Sequence, residues 1–395
     1  MSQILPSPVR FKGMRVRVKQ IPYVDLAAQY VSLKVEVLEA VARVLEGGQF
    51  ILGEEVARFE RCFAELCGVR FAVAVNSGTD ALILALRALG IGQGDEVITV
   101  PNSFVASTSC IVMAGARPVF VDVGEDSNMD PKQLERAITS KTKAILPVHL
   151  TGRPADLHPI LDVAKAYGLH VVEDCAQAVL AEYRGRRVGS FGTIGCFSLH
   201  PLKTLSACGD GGVLTTNEEA LYERLKLLRN LGLRTRDDCV VWSSNSRLDT
   251  LQAAVLLVKM KYLEAWTRRR RTNAAFYQRG LAGIPSLQVP RDRPFEKAVY
   301  HTFVVQAERR DELKNYLAEN GIGTAIHYPV PVHLQKAAEG LGYGPGSFPV
   351  AEQQAKRILS LPIYPELSRD DLSYIVEVIR KFYRASSHES GKPCV

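Results

Sequence analysis

The feature of this sequence that most constrains its fold is a regular alternation of β-rich runs with helix-length segments over residues 71–175. The strand-like runs FAVAV, EVITV, PVFVDV, KAILPVHL and HVVEDC are separated by helical patterns such as DALILALRAL and ADLHPILDVAKAYG. Strands that are joined through helices usually pair in parallel. The alternation therefore predicts an α/β domain with a mostly parallel central sheet and helices on both faces.

The pattern changes after about residue 248. A long helical pattern begins at LDTLQAAVLL, and it is followed by the strand-like run VYHTFVVQ and by helical patterns near 311–320, 349–359 and 370–383. This mixture predicts a smaller C-terminal α+β domain. We expect an N-terminal extension (1–21), a large domain (22–255) and a small domain (256–395) that includes the long connecting helix.

Composition excludes several classes of protein. Hydrophobic residues make up 47% and charged residues 23% of the chain, as in ordinary globular proteins. The longest apolar stretches are too short to span a bilayer, and the N-terminus lacks the apolar region of a signal peptide, so we expect a cytoplasmic protein without a membrane partner. The eight cysteines form no CxxC pair, which is typical of buried thiols in a reducing compartment.

The net charge of +7 is concentrated in residues 10–19 and in the run of four arginines at 268–271. No motif that reads nucleic acid accompanies these runs, so we expect no nucleic-acid partner. The arginine run has two interpretations, a solvated helix face or a positive region that attracts an anionic, phosphorylated substrate.

Small and polar residues follow the first strand-like run. In an open parallel sheet, ligands bind at the carboxyl ends of the strands. The sequence NSGTD at 76–80 stands between a strand and a helix, where backbone N–H groups and the helix dipole can receive a phosphate. An ordinary helix N-cap explains the same residues.

Two charged residues stand in unusual places. Asp174 ends the buried run HVVED, where a carboxylate serves either as a structural cap or as a partner of a ligand's ring nitrogen. Lys203 lies between an apolar run and the glycine turn CGDGG. Lysine is almost never fully buried unless it is paired or chemically committed. Lys203 is therefore a candidate catalytic residue.

Four motifs occur in a characteristic order: NSGTDAL, VEDCAQA, FSLHPLKTLSACGDGG and NSRLDTLQAA. Together they resemble the DegT/DnrJ/EryC1/StrS family of pyridoxal phosphate (PLP) enzymes, which are sugar aminotransferases of fold type I, the aspartate-aminotransferase fold. The resemblance covers residues 22–383 and makes the large domain the PLP-binding domain. The segments GQFILG (48–53) and HYPVPVHLQ (327–335) further resemble the branch that aminates nucleotide-linked keto sugars, notably at C3.

The resemblance implies a role for each of several residues. Lys203 would form the Schiff base with PLP and act as nucleophile and proton shuttle. Asp174 would keep the pyridine nitrogen protonated, and Gln177 would hydrogen-bond the ring oxygen. The remaining cofactor contacts would be three phosphate donors and one stacking ring, namely Gly78, Thr79, Ser198 and Phe104.

The resemblance also implies that the site is shared between two chains. Asn245 matches a family Asn that reaches the PLP phosphate of the neighbouring subunit, which implies an obligate homodimer. His327 and Tyr328 would line the sugar-nucleotide cleft from the smaller domain. Without the family pattern, a packing or turn role is the preferred interpretation of these three residues.

The sequence departs from the family pattern around the lysine. Family members often carry aromatic-Pro-x-Lys-Asn-Leu-Gly there, whereas this chain has His200, Thr204 and Ser206 at the variable positions. The lysine itself is kept. The departures therefore bear on local contacts with the substrate and leave the cofactor bond as implied.

The function implied is a PLP-dependent aminotransferase. It would move an amino group from L-glutamate, through pyridoxamine phosphate, to the C3 keto group of a nucleoside-diphosphate-linked keto-deoxysugar. An aminocyclitol or keto-inositol aminotransferase and a PLP-dependent sugar dehydratase are the alternative enzymes. Family dehydratases carry His in place of the lysine, so Lys203 argues against that one. A regulator built on this fold would be expected to carry an added DNA-reading domain, for which the chain has no room.

Overall fold

The computed structural model describes residues 19–389, with side chains up to residue 385. Most of the predicted extension (1–21) therefore lies outside the described residues. Within them the α-helices, in chain order, are α1 (Leu26–Gly47), α2 (Glu54–Cys67), α3 (Gly78–Ala88), α4 (Ala106–Met113), α5 (Leu134–Ala137), α6 (Leu157–Tyr167), α7 (Glu219–Arg229), α8 (Thr250–Gly280), α9 (Arg310–Glu319), α10 (Pro349–Arg357) and α11 (Arg369–Glu389).

The strands belong to one large sheet and three small ones. In chain order they are β1 (Phe71–Val75), β2 (Glu96–Thr99), β3 (Arg117–Phe120), β4 (Thr142–Ile145), β5 (His170–Asp174), β6 (Glu182–Tyr183), β7 (Arg186–Arg187), β8 (Ile194–Ser198), β9 (Gly212–Thr216), β10 (Leu233–Thr235), β11 (Asp238–Cys239), β12 (Leu287–Gln288), β13 (Glu296–Lys297), β14 (Phe303–Ala307) and β15 (Ile358–Leu361).

The large sheet has seven strands in the order β1-β9-β8-β5-β4-β2-β3. The pairs from β8 to β3 are parallel, as the strand–helix alternation predicts. Strand β9 is antiparallel to both of its neighbours, β1 and β8. The predicted mostly parallel α/β sheet is thus confirmed, and the carboxyl ends of β1, β5 and β8 lie at one edge.

A second hydrophobic core belongs to the C-terminal part of the chain. The antiparallel sheet β12-β14-β15 packs there with α9, α11 and the second half of α8. Ile21 joins this core, because it forms a parallel bridge with Ile322 and is 2% exposed. The expected domain boundary at 255/256 falls inside α8, and the three-region division stays a prediction.

The arginine run at 268–271 lies on α8 and is only partly solvated. Arg268 and Arg269 are exposed, whereas Arg270 is 7% exposed. Its guanidinium donates to the carbonyl oxygen of Ile363 at 2.5 Å. Burial lowers the pKa of Arg270 to about 10. The solvated-face interpretation is therefore wrong for Arg270, whose side chain ties α8 to the backbone after β15.

Two composition-based expectations can be compared with the structure. No helix among residues 19–389 is long and apolar enough to cross a membrane. Of the described cysteines, Cys208 and Cys239 are exposed and Cys62 is half-buried, so the expectation of buried thiols is wrong for these three. Cys394 lies outside the described residues. The buried thiols are those of Cys67, Cys110, Cys175 and Cys196.

Candidate active site

The first part of the site is the start of α3, directly after β1. The side chain of Ser77 caps this helix, since its oxygen accepts a hydrogen bond from the backbone N–H of Asp80 at 3.0 Å. Gly78 and Thr79 are therefore the first two helical residues. Their N–H groups belong to the first turn, which has no intrahelical acceptors, and they are suited to bind an anion.

The end of β8 packs tightly against this helix start. A Cβ atom on Gly78 would lie 2.6 Å from Cβ of Ser198, the last residue of β8. Such a contact is too short for any other residue at position 78. Ser198 is 8% exposed. The glycine thus brings a serine hydroxyl to the same helix turn as Thr79.

Asp174 lies at the end of β5 and is 3% exposed. One carboxylate oxygen accepts from the backbone N–H of Ala176 at 3.1 Å, which is the local cap that its position suggested. The other accepts from the hydroxyl of Ser107, on α4, at 2.7 Å. Ser103 contacts the Ser107 hydroxyl at 2.8 Å. Sequence reasoning missed Ser107, although the polar segment VASTS after a strand was a signal.

Lys203 lies in the loop between β8 and β9. Its backbone N–H donates to the carbonyl oxygen of His200 at 2.8 Å. Burial lowers the pKa of the Lys203 amine to about 8, against the opposing effect of the negative charge of Asp174. Removal from water disfavours the charged ammonium form. With a pKa of about 8, about one tenth of Lys203 is the neutral, nucleophilic amine at pH 7, far more than for a lysine with the ordinary pKa.

Gln177, just after β5, and Tyr328, from the C-terminal part of the chain, contact each other at the site. The side-chain oxygen of Gln177 accepts from the backbone N–H of Thr151 at 2.6 Å. Burial and the charge of Asp174 raise the pKa of Tyr328 to about 12, and a hydrogen bond with Gln177 opposes them. The ring of Tyr328 lies 5.6 Å from that of Phe104, centroid to centroid. These contacts bring three predicted residues, Gln177, Tyr328 and Phe104, together.

The predicted substrate residue His327 has two neighbours that sequence reasoning missed. Its Nδ1 lies 2.9 Å from the hydroxyl of Ser360, and its ring centroid lies 5.7 Å from that of Tyr23. Burial, and then the positive charge of Lys203, lower the pKa of His327. Burial lowers the pKa of His301 even further, with the Lys203 charge next in size. No sequence motif identified Tyr23 or His301.

Asn245 lies at the far side of the helix start and is exposed in the single chain. The next residue, Ser246, is buried; its carbonyl oxygen accepts from the N–H of Asn76, and its hydroxyl donates to Asp80 at 2.5 Å. The segment that carries Asn245 is therefore fixed beside the end of β1. Its side chain faces away from the buried interior.

A buried polar group supports β5 beneath the site. Glu173, His149 and Cys175 have potential metal ligand atoms within 4.8 Å of one another. However, His149 Nε2 contacts the Glu173 carboxylate at 3.1 Å, and three backbone N–H groups donate to the same carboxylate. Because the Glu173 carboxylate already has these four hydrogen-bond partners, we interpret the group as structural: it holds in place β5, the strand that ends in Asp174. The three donors are Gly189, Phe191 and Gly192.

Comparison with known proteins identifies the family. A model of the DegT/DnrJ/EryC1/StrS aminotransferase family matches residues 31–380. The chain is 46% identical to dTDP-3-amino-3,4,6-trideoxy-α-D-glucose transaminase of Streptomyces venezuelae, over 93% of this chain and 97% of that protein. The solved structure of S. venezuelae DesV has a TM-score of 0.91 at 46% identity and covers 92% of this chain and 98% of its own. The chain belongs to this family.

Two further relatives bear on cofactor and chemistry. NtdA of Bacillus subtilis, solved with bound cofactor PMP, has a TM-score of 0.87 at 28% identity and covers 92% of this chain and 85% of its own. The UDP-N-acetyl-3-dehydro-α-D-glucosamine 3-aminotransferase of Acidithiobacillus ferrooxidans is 44% identical, over 91% of this chain and 97% of that protein. This aminotransferase family uses PLP, with PMP as its aminated form.

The residues present in this family member fit PLP. Gly78 lets Ser198 pack directly against the helix start, since a Cβ atom on residue 78 would lie 2.6 Å from Cβ of Ser198. Among residues 19–389, the buried polar atoms near the site that lack hydrogen-bond partners include Asn76 Oδ1, Thr204 Oγ1 and His301 Nδ1. The lowered pKa of Lys203 suits an amine that must attack an aldehyde. The site thus offers an anion cradle, a carboxylate and a reactive amine.

Proposed function

We propose that this family member transfers an amino group from L-glutamate to the C3 keto group of a nucleoside-diphosphate-linked keto-deoxysugar. The relatives from Streptomyces and Acidithiobacillus are named for different sugars and nucleotides, and C3 is the position that their names share. The observation that carries the proposal is Lys203, a half-buried residue whose pKa is lowered to about 8 by removal from water, against the opposing charge of Asp174. The nucleotide and the sugar are left open.

The proposed chemistry assigns a task to each buried polar group. Bound PLP would supply an electron sink for the negative charge that develops at the α-carbon of the donor. Lys203 Nζ would hold the cofactor aldehyde and, once displaced by the donor amine, would take the α-proton and return it. Asp174, oriented by Ser107, would keep the pyridine nitrogen protonated. Gln177, oriented by the Thr151 N–H, would donate its amide hydrogen to the ring oxygen.

The phosphate and the sugar would be held by the rest of the predicted set. Gly78 and Thr79 would donate backbone and hydroxyl hydrogens to the phosphate, together with Ser198. Phe104 would stack on the cofactor ring. The His327 and Tyr328 side chains would face the sugar nucleotide, with the imidazole of His327, whose pKa burial lowers, as a hydrogen-bonding group.

A homodimer with shared sites is part of the proposal. Large apolar side chains are exposed on α1, on the segment before α2 and on the segment that carries Asn245; Trp242 is 86% exposed and Val31 is 75% exposed. Exposed apolar surface of this kind is typical of an interface. Asn245 would then reach the phosphate bound by the partner chain. A cytoplasmic location stays a prediction.

A regulatory function is the second candidate, because a Geobacillus stearothermophilus relative that is 43% identical is named a pleiotropic regulatory protein. A protein that only binds partners has no need of a desolvated lysine, whose burial costs free energy. Lys203 therefore favours an aminotransferase over a protein with only a regulatory function. It equally disfavours the dehydratase, whose family members carry His at this position.

The direct test is the Lys203→Ala variant, assayed with L-glutamate and a panel of keto-sugar nucleotides. We expect amine formation to fall by more than about 10⁴-fold, because both the nucleophile and the proton carrier are lost. Borohydride should attach the cofactor to Lys203 in the parent, as read by peptide mass spectrometry, and to no residue of the variant. Lys165→Ala, which removes an exposed lysine on α6, is the control. Near-normal amine formation by Lys203→Ala would refute the proposal.

A further inference from the structure

The loop that carries Lys203 is closed at its base by backbone hydrogen bonds. The N–H of Ala207 donates to the carbonyl oxygen of Leu199 at 2.7 Å, and the N–H of Leu199 donates to Gly211 at 2.8 Å. Lys203 is in the middle of the closed segment 199–207. The position of its amine therefore depends on how firmly the base of the loop is held.

Helix α8 holds this base at two points. The amine of Lys259 donates to the carbonyl oxygen of Ser206 at 2.8 Å and to its hydroxyl at 3.1 Å. The side-chain oxygen of Gln252 accepts from the N–H of Cys208 at 2.8 Å. Gln252 and Lys259 are seven residues apart, so they lie on the same face of the helix. Side chains from two turns of α8 thus hydrogen-bond to two residues of the loop, Ser206 and Cys208.

The Lys259 side chain is unusual for a contact of this kind. It is 9% exposed, and burial lowers its pKa. A buried amine costs free energy that an apolar side chain of the same length would not. Ser206, its partner, stands where the family pattern often has glycine. The hydroxyl at this departure from the pattern therefore gains a contact with Lys259.

A cavity beside the Lys259–Ser206 contact leaves space into which the loop could move. A cavity of about 330 Å³ lies between α1 and the loop, and both Lys259 and Ser206 line it. Leu33 and Val37 of α1 form part of its apolar wall. If the contacts with Lys259 were lost, the segment could shift into this cavity, and water could reach Lys203.

We propose that Lys259 is a positioning residue that holds the Lys203 loop against α8 and keeps the Lys203 amine in its desolvated place. The proposal rests on the proposed function, in which Lys203 is the reactive amine. Lys259 touches neither cofactor nor substrate in this scheme. It acts through Ser206, three residues along the chain from Lys203.

The experiment measures the Lys203 amine directly in the full-length chain freed of cofactor. Acetic anhydride labelling over a range of pH, read by peptide mass spectrometry, gives the pKa of Lys203, with about 8 expected for the parent. Lys259→Met keeps the length of the side chain and removes the donors. We expect the midpoint to rise by about one pH unit towards the value of free lysine. Hydrogen exchange in residues 203–207 should become about tenfold faster, as expected for the loss of hydrogen bonds.

The control is Val258→Ala, which removes apolar contacts in the cluster between α8 and α1 and leaves the Lys259 and Gln252 hydrogen bonds in place. It should lower the melting temperature without a change in the labelling curve. If Lys259→Met lowers the melting temperature but keeps the parent curve, Lys259 is a packing residue and the proposal is wrong. If it does not fold, Ser206→Ala decides: a smaller shift in the same direction supports the proposal, and an unchanged curve overturns it. Because labelling needs no turnover, a failure of the proposed aminotransfer would leave this result readable.

Discussion

The Asp174 carboxylate has two hydrogen-bond donors, and they have different origins. The Ala176 N–H is a local contact, which any Asp at a strand end could make. The Ser107 hydroxyl comes from α4, 67 residues away along the chain. It orients one carboxylate oxygen without neutralising the charge. At the residue scale, the site therefore combines a charged carboxylate, Asp174, with a hydroxyl, that of Ser107, which fixes its orientation.

Substitution of these two residues should separate charge from orientation. Asp174→Asn keeps the shape and removes the charge, so kcat should fall by about 10²–10³-fold or more, with modest loss of cofactor. Ser107→Ala keeps the charge, so the loss should be smaller, about tenfold. Both are measured by steady-state kinetics and cofactor absorbance, with the exposed Asp162→Asn of α6 as control. If the Asp174→Asn variant kept most of its rate, Asp174 would be only a strand-end cap.

Helix α3 and strand β8 meet so closely that one residue decides their packing. The calculated contact of 2.6 Å between a Cβ atom on Gly78 and Ser198 leaves no room for alanine. Ser198 is part of a buried five-residue strand, so its backbone has little freedom to retreat. At the scale of elements, the phosphate cradle depends on this junction of a helix start with a strand end.

Gly78→Ala should therefore weaken cofactor binding and lower stability. Overpacking costs typically about 1–3 kcal/mol, so we expect a lower melting temperature and a dissociation constant for pyridoxal phosphate raised about tenfold or more. The matched change is Gly47→Ala at the end of α1, where a Cβ atom meets nothing within 4 Å. Alanine favours helix there, and the melting temperature should stay the same or rise. Equal behaviour of the two variants would show that the junction tolerates a side chain.

At the scale of the whole molecule, the segment that carries Asn245 also carries exposed apolar side chains, among them Trp242. Asn245 is fixed by its backbone beside β1, while its side chain is exposed in the single chain. Exposed apolar residues lie on α1 and, just before Asn245 in the sequence, at Val240, Val241 and Trp242. A second copy of the chain would bury this surface, and isologous pairing would place two equivalent sites in one dimer.

Mixed dimers test the shared site. Lys203→Ala and Asn245→Asp chains should each be inactive, the second because its carboxylate repels the phosphate. When they are mixed 1:1, half of the dimers are mixed and each has one intact site, so activity should recover to about one quarter of the parent level. Subunit exchange is checked by mass tags. With exchange confirmed, no recovery would mean that Asn245 serves its own chain.

Local patterns determined much of the fold and the centre of the site. The alternation of strand and helix patterns predicts parallel pairing, since the period of apolar residues and the length of each crossover are local properties. The four sequence motifs indicated the family, and the family pattern in turn indicated Lys203 and Asp174 as candidate site residues. These residues stand out because a charge next to a buried strand is costly and rarely accidental.

Tertiary structure alone decided the rest, because burial is a property of the folded chain. The five residues of β9 carry no signal of their antiparallel direction, which depends on the return of the chain between β1 and β8. Arg270 and Lys259 are typical surface residues by type, yet packing buries both. The Ser107 hydroxyl reaches Asp174 from a distant part of the sequence, and burial, with the charge of Lys203, lowers the pKa of His301. Which polar side chains support the reactive amine is therefore decided by packing, since sequence spacing cannot encode contacts that form only when separate elements meet.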